Sequence, residues 1–159
     1  MQFPSTRIFV FITTAAASEK ILISEIQIAG EDADDEFIEL YNPNNKIIPL
    51  KGWSIQYRGS SAQKFYKKNF EGNAEIPACG FYLIGHKNYS ASSSANMTHS
   101  TFALSSEGGT VFLVRGKSTL ETGNEDIISD KVAYYNGTSS ADETLFPETL
   151  PIEIVALQL

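Results

Sequence analysis

From Ile21 onward the apolar residues of this chain recur with a period near two, and residues suited to turns break the pattern at short intervals. Successive strand side chains point to opposite faces of a sheet, so this alternation sets one row against a core and the other toward solvent. Helical periodicity offers almost no competition. Short strands with frequent turns predict an all-β sandwich or barrel. The expected strands fall at residues 21–29, 36–42, 53–58, 65–70, 81–86, 101–104, 110–115 and 127–135. Between them, segments such as Asn42-Pro43-Asn44-Asn45-Lys46, Gly72-Asn73, Pro77-Ala78-Cys79-Gly80 and Gly108-Gly109 supply turn chemistry, through positive φ or side-chain to backbone hydrogen bonds.

The alternation is clearest between Glu36 and Tyr57. Ile38 and Leu40 share a face of one strand, and Trp53 and Ile55 share a face of the next, so two inward rows can meet across a sheet pair. Asn42 is placed to tie the turn that follows it. Trp53, the only tryptophan, is expected in the core rather than as a platform for a sugar or a base. Residues 90–96, rich in Ser and Ala, read as a loop at one end of the fold. Residues 137–159 read as a loop followed by an edge strand, or as the start of a further region.

A chain of 159 residues suits one domain and can bury a core without disulfides. Cys79 is the single cysteine and is expected as a small buried or half-buried side chain at a strand entrance. Near the N-terminus, Arg7 precedes an apolar run that ends in Ala15-Ala16-Ala17, followed by Ser18-Glu19-Lys20. That is the layout of a signal peptide cleaved after Ala17, and the run is too short to span a bilayer. Residues 1–17 are therefore expected to be a signal peptide and residues 18–136 the domain, on a secreted or cell-envelope protein with no transmembrane span.

The stretch Glu36-Phe37-Ile38-Glu39-Leu40-Tyr41-Asn42-Pro43 followed by Leu50-Lys51-Gly52-Trp53-Ser54-Ile55, preceded by Ile23-Ser24-Glu25-Ile26, resembles in order the central strand pair and the opening strand of the lamin-tail domain family. Ile76-Pro77-Ala78-Cys79-Gly80-Phe81-Tyr82-Leu83-Ile84 resembles its "IPAGGYYLI" segment, with Cys79 where the family has Gly. The stretches 104–113 and 128–134 resemble its Gly-Gly hairpin and closing strand, while the segment beyond Tyr135 departs from the family's ending. The resemblance implies an immunoglobulin-like β-sandwich that serves as a non-catalytic interaction or tethering module, with a protein or cell-surface component as partner.

Chemistry-bearing residues add little to that. Glu31-Asp32-Ala33-Asp34-Asp35-Glu36 packs five carboxylates into six positions, which reads as a solvated acidic loop or as a Ca²⁺ site using Asp32, Asp34 and Asp35, though without the glycine and spacing of an EF-hand. No other cofactor is expected. His86, His99 and Cys79 do not fall at zinc spacing, and no serine lies on a nucleophile elbow, so no catalytic residue and no enzyme activity are expected. Lys64, Tyr66, Lys67 and Lys68 form the only basic and aromatic cluster; such a cluster can bind a single strand of nucleic acid or, as a charged edge strand, resist aggregation. The net charge of −7 disfavours nucleic acid. The main alternative is a carbohydrate-binding or adhesion module with Tyr57, Tyr66, Tyr82 or Tyr89 as exposed stacking rings.

Overall fold

The computed structural model describes residues 19–30, 33–62, 64–121 and 123–135, and the backbone of 152–153. The expected signal peptide and most of 137–159 lie outside the described residues. Among the described residues eleven strands follow in order: β1 (Leu22–Gln27), β2 (Phe37–Tyr41), β3 (Ile48–Pro49), β4 (Ser54–Gly59), β5 (Tyr66–Asn69), β6 (Glu75–Ile76), β7 (Phe81–His86), β8 (Met97–His99), β9 (Gly108–Val114), β10 (Ile128–Tyr135) and β11 (Ile152–Glu153). They form a four-stranded sheet ordered β1-β2-β7-β8, a five-stranded sheet ordered β11-β10-β9-β4-β5, and a ribbon of β3 with β6. Pairing is antiparallel except for β7 with β8 and β10 with β11. This is the expected all-β, immunoglobulin-like sandwich.

The core lies between the two sheets. Ile38 and Leu40 of β2, Ile84 of β7, Ile55 of β4 and Val111 and Leu113 of β9 are essentially fully buried there. The inward row of β4 is Ile55 and Tyr57, whereas Trp53 precedes the strand and packs half-buried against the core, with the Arg115 guanidinium 6.0 Å from its ring centroid. Residues 101–104 do not form a strand; Phe102 and Leu104 are buried from an irregular segment, and a strand forms just before it, at β8. Cys79 is exposed rather than buried, because it takes a left-handed backbone (φ 52°) while its N–H donates to the Asn44 carbonyl. That conformation suits glycine, which is what the family pattern has there.

Two polar devices hold the layers. At one margin the Ile23 N–H donates to Asp130 Oδ2 (2.8 Å) and the Ile21 N–H to Ser129 Oγ (3.3 Å), so side chains of β10 satisfy backbone groups at the β1 edge. At the opposite end the buried Tyr57 hydroxyl accepts from the Ser105 N–H (2.8 Å) and from the Tyr134 hydroxyl (3.4 Å). The Tyr57 ring lies so close to Gly109 that a Cβ added there would sit 2.5 Å from it, which accounts for glycine at that position. Tyr57→Phe leaves the Ser105 N–H without its acceptor, and the expected loss is about 2 kcal/mol in urea unfolding with faster amide exchange at Ser105. A change under about 0.5 kcal/mol would show that the hydroxyl does not hold this end together.

The sheets differ on their outer faces. On the five-stranded sheet, Phe112, Val114 and Leu120 form a second buried cluster, joined by Phe65, Ile127 and Ile128. Gln56 lies fully buried there: its Nε2 donates to the Ser118 carbonyl (2.8 Å) and its Oε1 accepts from the Leu120 N–H (3.0 Å). Ser54 Oγ donates to the Gly116 carbonyl (2.7 Å). The segment after β9 thus covers this face.

Candidate functional site

The four-stranded sheet keeps an outer face with large apolar side chains on it. The register places Leu22, Tyr41 and Phe81 side by side on β1, β2 and β7. Phe81 is 54% exposed, and its ring lies 4.9 Å from that of Tyr41 at an interplanar angle of 34°. An aromatic side chain left this open on a sheet is poorly explained by folding, which gains from burying such area. The row is held firmly from behind. Asn42, directly after Tyr41, is fully buried, and its backbone N–H donates to the Gly80 carbonyl directly before Phe81 (2.9 Å). Its Nδ2 donates to the carbonyls of Lys46 (2.8 Å), Pro77 (2.8 Å) and Ile76 (3.2 Å), while its Oδ1 accepts from the Asn44 N–H (2.9 Å). The expected turn tie is present and extends to a second loop.

The next row on the same face is Glu25, Glu39 and Leu83. The two carboxylates are direct cross-strand partners, an arrangement that is repulsive. Ser24, at the bulge in β1, donates its hydroxyl to Glu39 Oε1 (2.8 Å) and holds that carboxylate over the sheet. Farther along, Tyr89 lies over Phe37 with ring centroids 5.4 Å apart, and that end is covered.

A second polar group sits at the edge of the core. Glu36, expected in a solvated loop, is buried, and both its carboxylate oxygens accept from the Leu104 N–H at 2.9 Å. This side-chain acceptor is what replaces a strand ladder at 101–104. Burial pushes its pKa up to about 7, with the Leu104 N–H opposing and Asp34 adding to the rise. His86 and His99 are buried beside it, their rings 5.9 Å apart, and His99 also packs on Phe102 at 4.3 Å. Burial lowers His99 to about 4, helped by the charges of His86 and Lys68. The crease among these residues has no space for a water-sized body, so its chemistry is that of a buried latch.

The residues singled out from the sequence are dispersed. Asp34 Oδ2 accepts from Asn88 Nδ2 (2.9 Å), and the buried Asp35 accepts from the Ser90 N–H at Oδ1 (2.8 Å), so both tie the loop before β2 to the one after β7. Asp32 lies outside the described residues. Among the described residues no three His, Cys, Asp or Glu side chains converge as metal ligands would. Lys64, Tyr66, Lys67 and Lys68 lie on or beside β5, the expected edge strand. There the Lys64 ammonium sits 4.9 Å from the Tyr66 ring centroid, Lys67 donates to the Lys117 carbonyl and Lys68 pairs with Glu71 at 3.3 Å. Tyr57 and Tyr82 are buried and Tyr89 is half-buried on Phe37, so of the four rings proposed for sugar stacking only Tyr66 is exposed.

The sequence reading missed Tyr41 and Phe81. A signal was there: β2 and β7 carry apolar residues on both alternating rows, Phe37 and Tyr41 against Ile38 and Leu40, and Phe81 and Leu83 against Tyr82 and Ile84. The family model of the lamin tail domain matches residues 14–140. No curated protein matches the chain.

Proposed function

Because the chain belongs to the lamin tail domain family, a non-catalytic, interaction-type family, we propose that it is the interaction or tethering module of an exported protein. It engages a protein or cell-surface component through the outer face of the β1-β2-β7-β8 sheet. One observation carries this reading: Phe81 stands exposed beside the half-buried Tyr41 and Leu22 on the outer face of this sheet, while the outer face of the other sheet is covered. A rigid backbone behind exposed aromatic side chains favours binding, since little side-chain freedom is lost when a partner docks.

Site-specific photocrosslinking in the native host tests it. A benzoylphenylalanine at position 81 should give a discrete adduct, while the same group at the exposed Glu121, in the segment that follows β9, should not. Equal adducts from both positions, or none from position 81, would sink the proposal. Export is tested separately by mass spectrometry of the mature protein, which should begin at Ser18; an intact Met1 would overturn it.

A further inference from the structure

Resting on the reading of this face as the docking surface, we infer that its partner is a cationic segment in extended conformation. Such a segment sets an apolar side chain on Tyr41 and Phe81, and an Arg or Lys two residues away on Glu39 and Glu25.

The argument begins with the two rows. Leu22, Tyr41 and Phe81 form the apolar one, and Glu25, Glu39 and Leu83 the one beside it. Tyr41 and Glu39 are two residues apart on β2, so their side chains rise from the same face about 7 Å apart. An extended peptide has the same repeat between alternate side chains. An apolar residue and a cation at positions i and i+2 therefore match the two rows without bending either backbone.

Charge supplies the second reason. Glu25 and Glu39 face each other across the pair, and no Lys or Arg among the described residues pairs with either. The cations at that end of the sheet are engaged elsewhere, Lys20 with Asp130 at 3.6 Å and Lys46 with Glu19. The face thus presents two like charges as cross-strand neighbours with no cation between them, and a guanidinium placed there would pair with both. Glu39 is held in place by the Ser24 hydroxyl, so the acceptor is already oriented. The net charge of −7 steers a cationic partner inward and opposes an anionic one. The lysine-bearing β5 belongs to the other sheet and does not alter the sign here.

The test uses the full chain, isotope-labelled for NMR, and three capped heptapeptides: Ser-Gly-Arg-Ser-Trp-Ser-Gly and the same sequence with Gln or Glu in place of Arg. The Arg peptide should shift the amides of Glu39, Tyr41, Phe81 and Leu83. It should bind about fivefold more tightly than the Gln peptide at low salt. The difference should fade between about 0.05 and about 0.5 M salt. In the double variant Glu25→Gln and Glu39→Gln the Arg and Gln peptides should bind alike, while Phe81→Ser, an exposed change that leaves the core intact, should remove the shifts. If the Gln or Glu peptide binds these residues as well as the Arg peptide, the cationic class is wrong although the docking face stands. If none of the three shifts Phe81, the inference fails outright, and the crosslinking at position 81 decides the docking reading independently.

Discussion

Asn42→Ala is expected to lower the stability of the sandwich by about 4 kcal/mol, and with it the melting temperature by roughly 10–20 °C. The substitution deletes the donor to three backbone carbonyls, Lys46, Ile76 and Pro77, and the acceptor for the Asn44 N–H, all around a side chain with no exposure. Buried groups that lose a partner cost about 1–3 kcal/mol each, so two or three of them suffice for the estimate. Asn42→Asp keeps the shape but brings a carboxylate against carbonyl oxygens and should be at least as damaging at neutral pH. Asn44→Ala, which removes a side chain at the rim of the same turn, should cost less than about 1 kcal/mol. Calorimetry on the three variants decides the matter: an Asn42→Ala protein within about 1 kcal/mol of the parent would mean that the turn is held by something else. Because the Asn42 side chain also holds the Ile76 and Pro77 carbonyls of the segment that leads into Phe81, the variant should weaken adduct formation at position 81 even well below its melting point.

The second large effect is in pH dependence. Glu36 has its folded pKa raised from 4.5 to about 7, so the stability this represents is fully present below pH 4.5 and is lost as pH rises through 7. His99 has its folded pKa lowered from 6.5 to about 4, so its contribution is fully present above pH 6.5 and is lost as pH falls through 4. Each is worth about 3 kcal/mol over its full window, with opposite sign. Between about pH 4.5 and 6.5 the two slopes cancel, and the pair contributes a plateau. Removing one partner exposes the other. Relative to the parent, Glu36→Gln should make stability fall toward acid by about 1.4 kcal/mol per pH unit across that range. His99→Gln should make it rise toward acid by a similar amount. Urea unfolding at half-unit pH steps measures both, and parallel profiles for the parent and the two variants would refute the opposed linkage.

Much of this molecule was legible in its residues. Period-two patterning located seven of the strands, the turn chemistry after Tyr41 anticipated the Asn42 tie, and the lysines of 64–68 marked an edge strand. The short strands β3, β6 and β8 escaped because two or three residues are too few to show a period. The segment 101–104 alternates like a strand, yet its Leu104 N–H is taken by a carboxylate 68 positions away. Gln56 lies on the outer face of β4, and nothing near it in sequence shows that the segment between β9 and β10, more than 60 positions away, comes over to cover it.

The candidate site divides in the same way. Alternation along a strand states which side chains share a face, so the sequence by itself determined that Ile38 opposes Tyr41 and that Tyr82 opposes Phe81, together with the sandwich class and the family. It carries no information on what lies above each face. Only the tertiary structure decided that one outer face is roofed by the segment after β9 while the other leaves Phe81 exposed beside a half-buried Tyr41, and that Tyr57 and Tyr82 are buried. The physical reason is that strand parity is a property of local backbone geometry, whereas burial depends on which remote segment packs onto the face, a choice made by the whole chain at once.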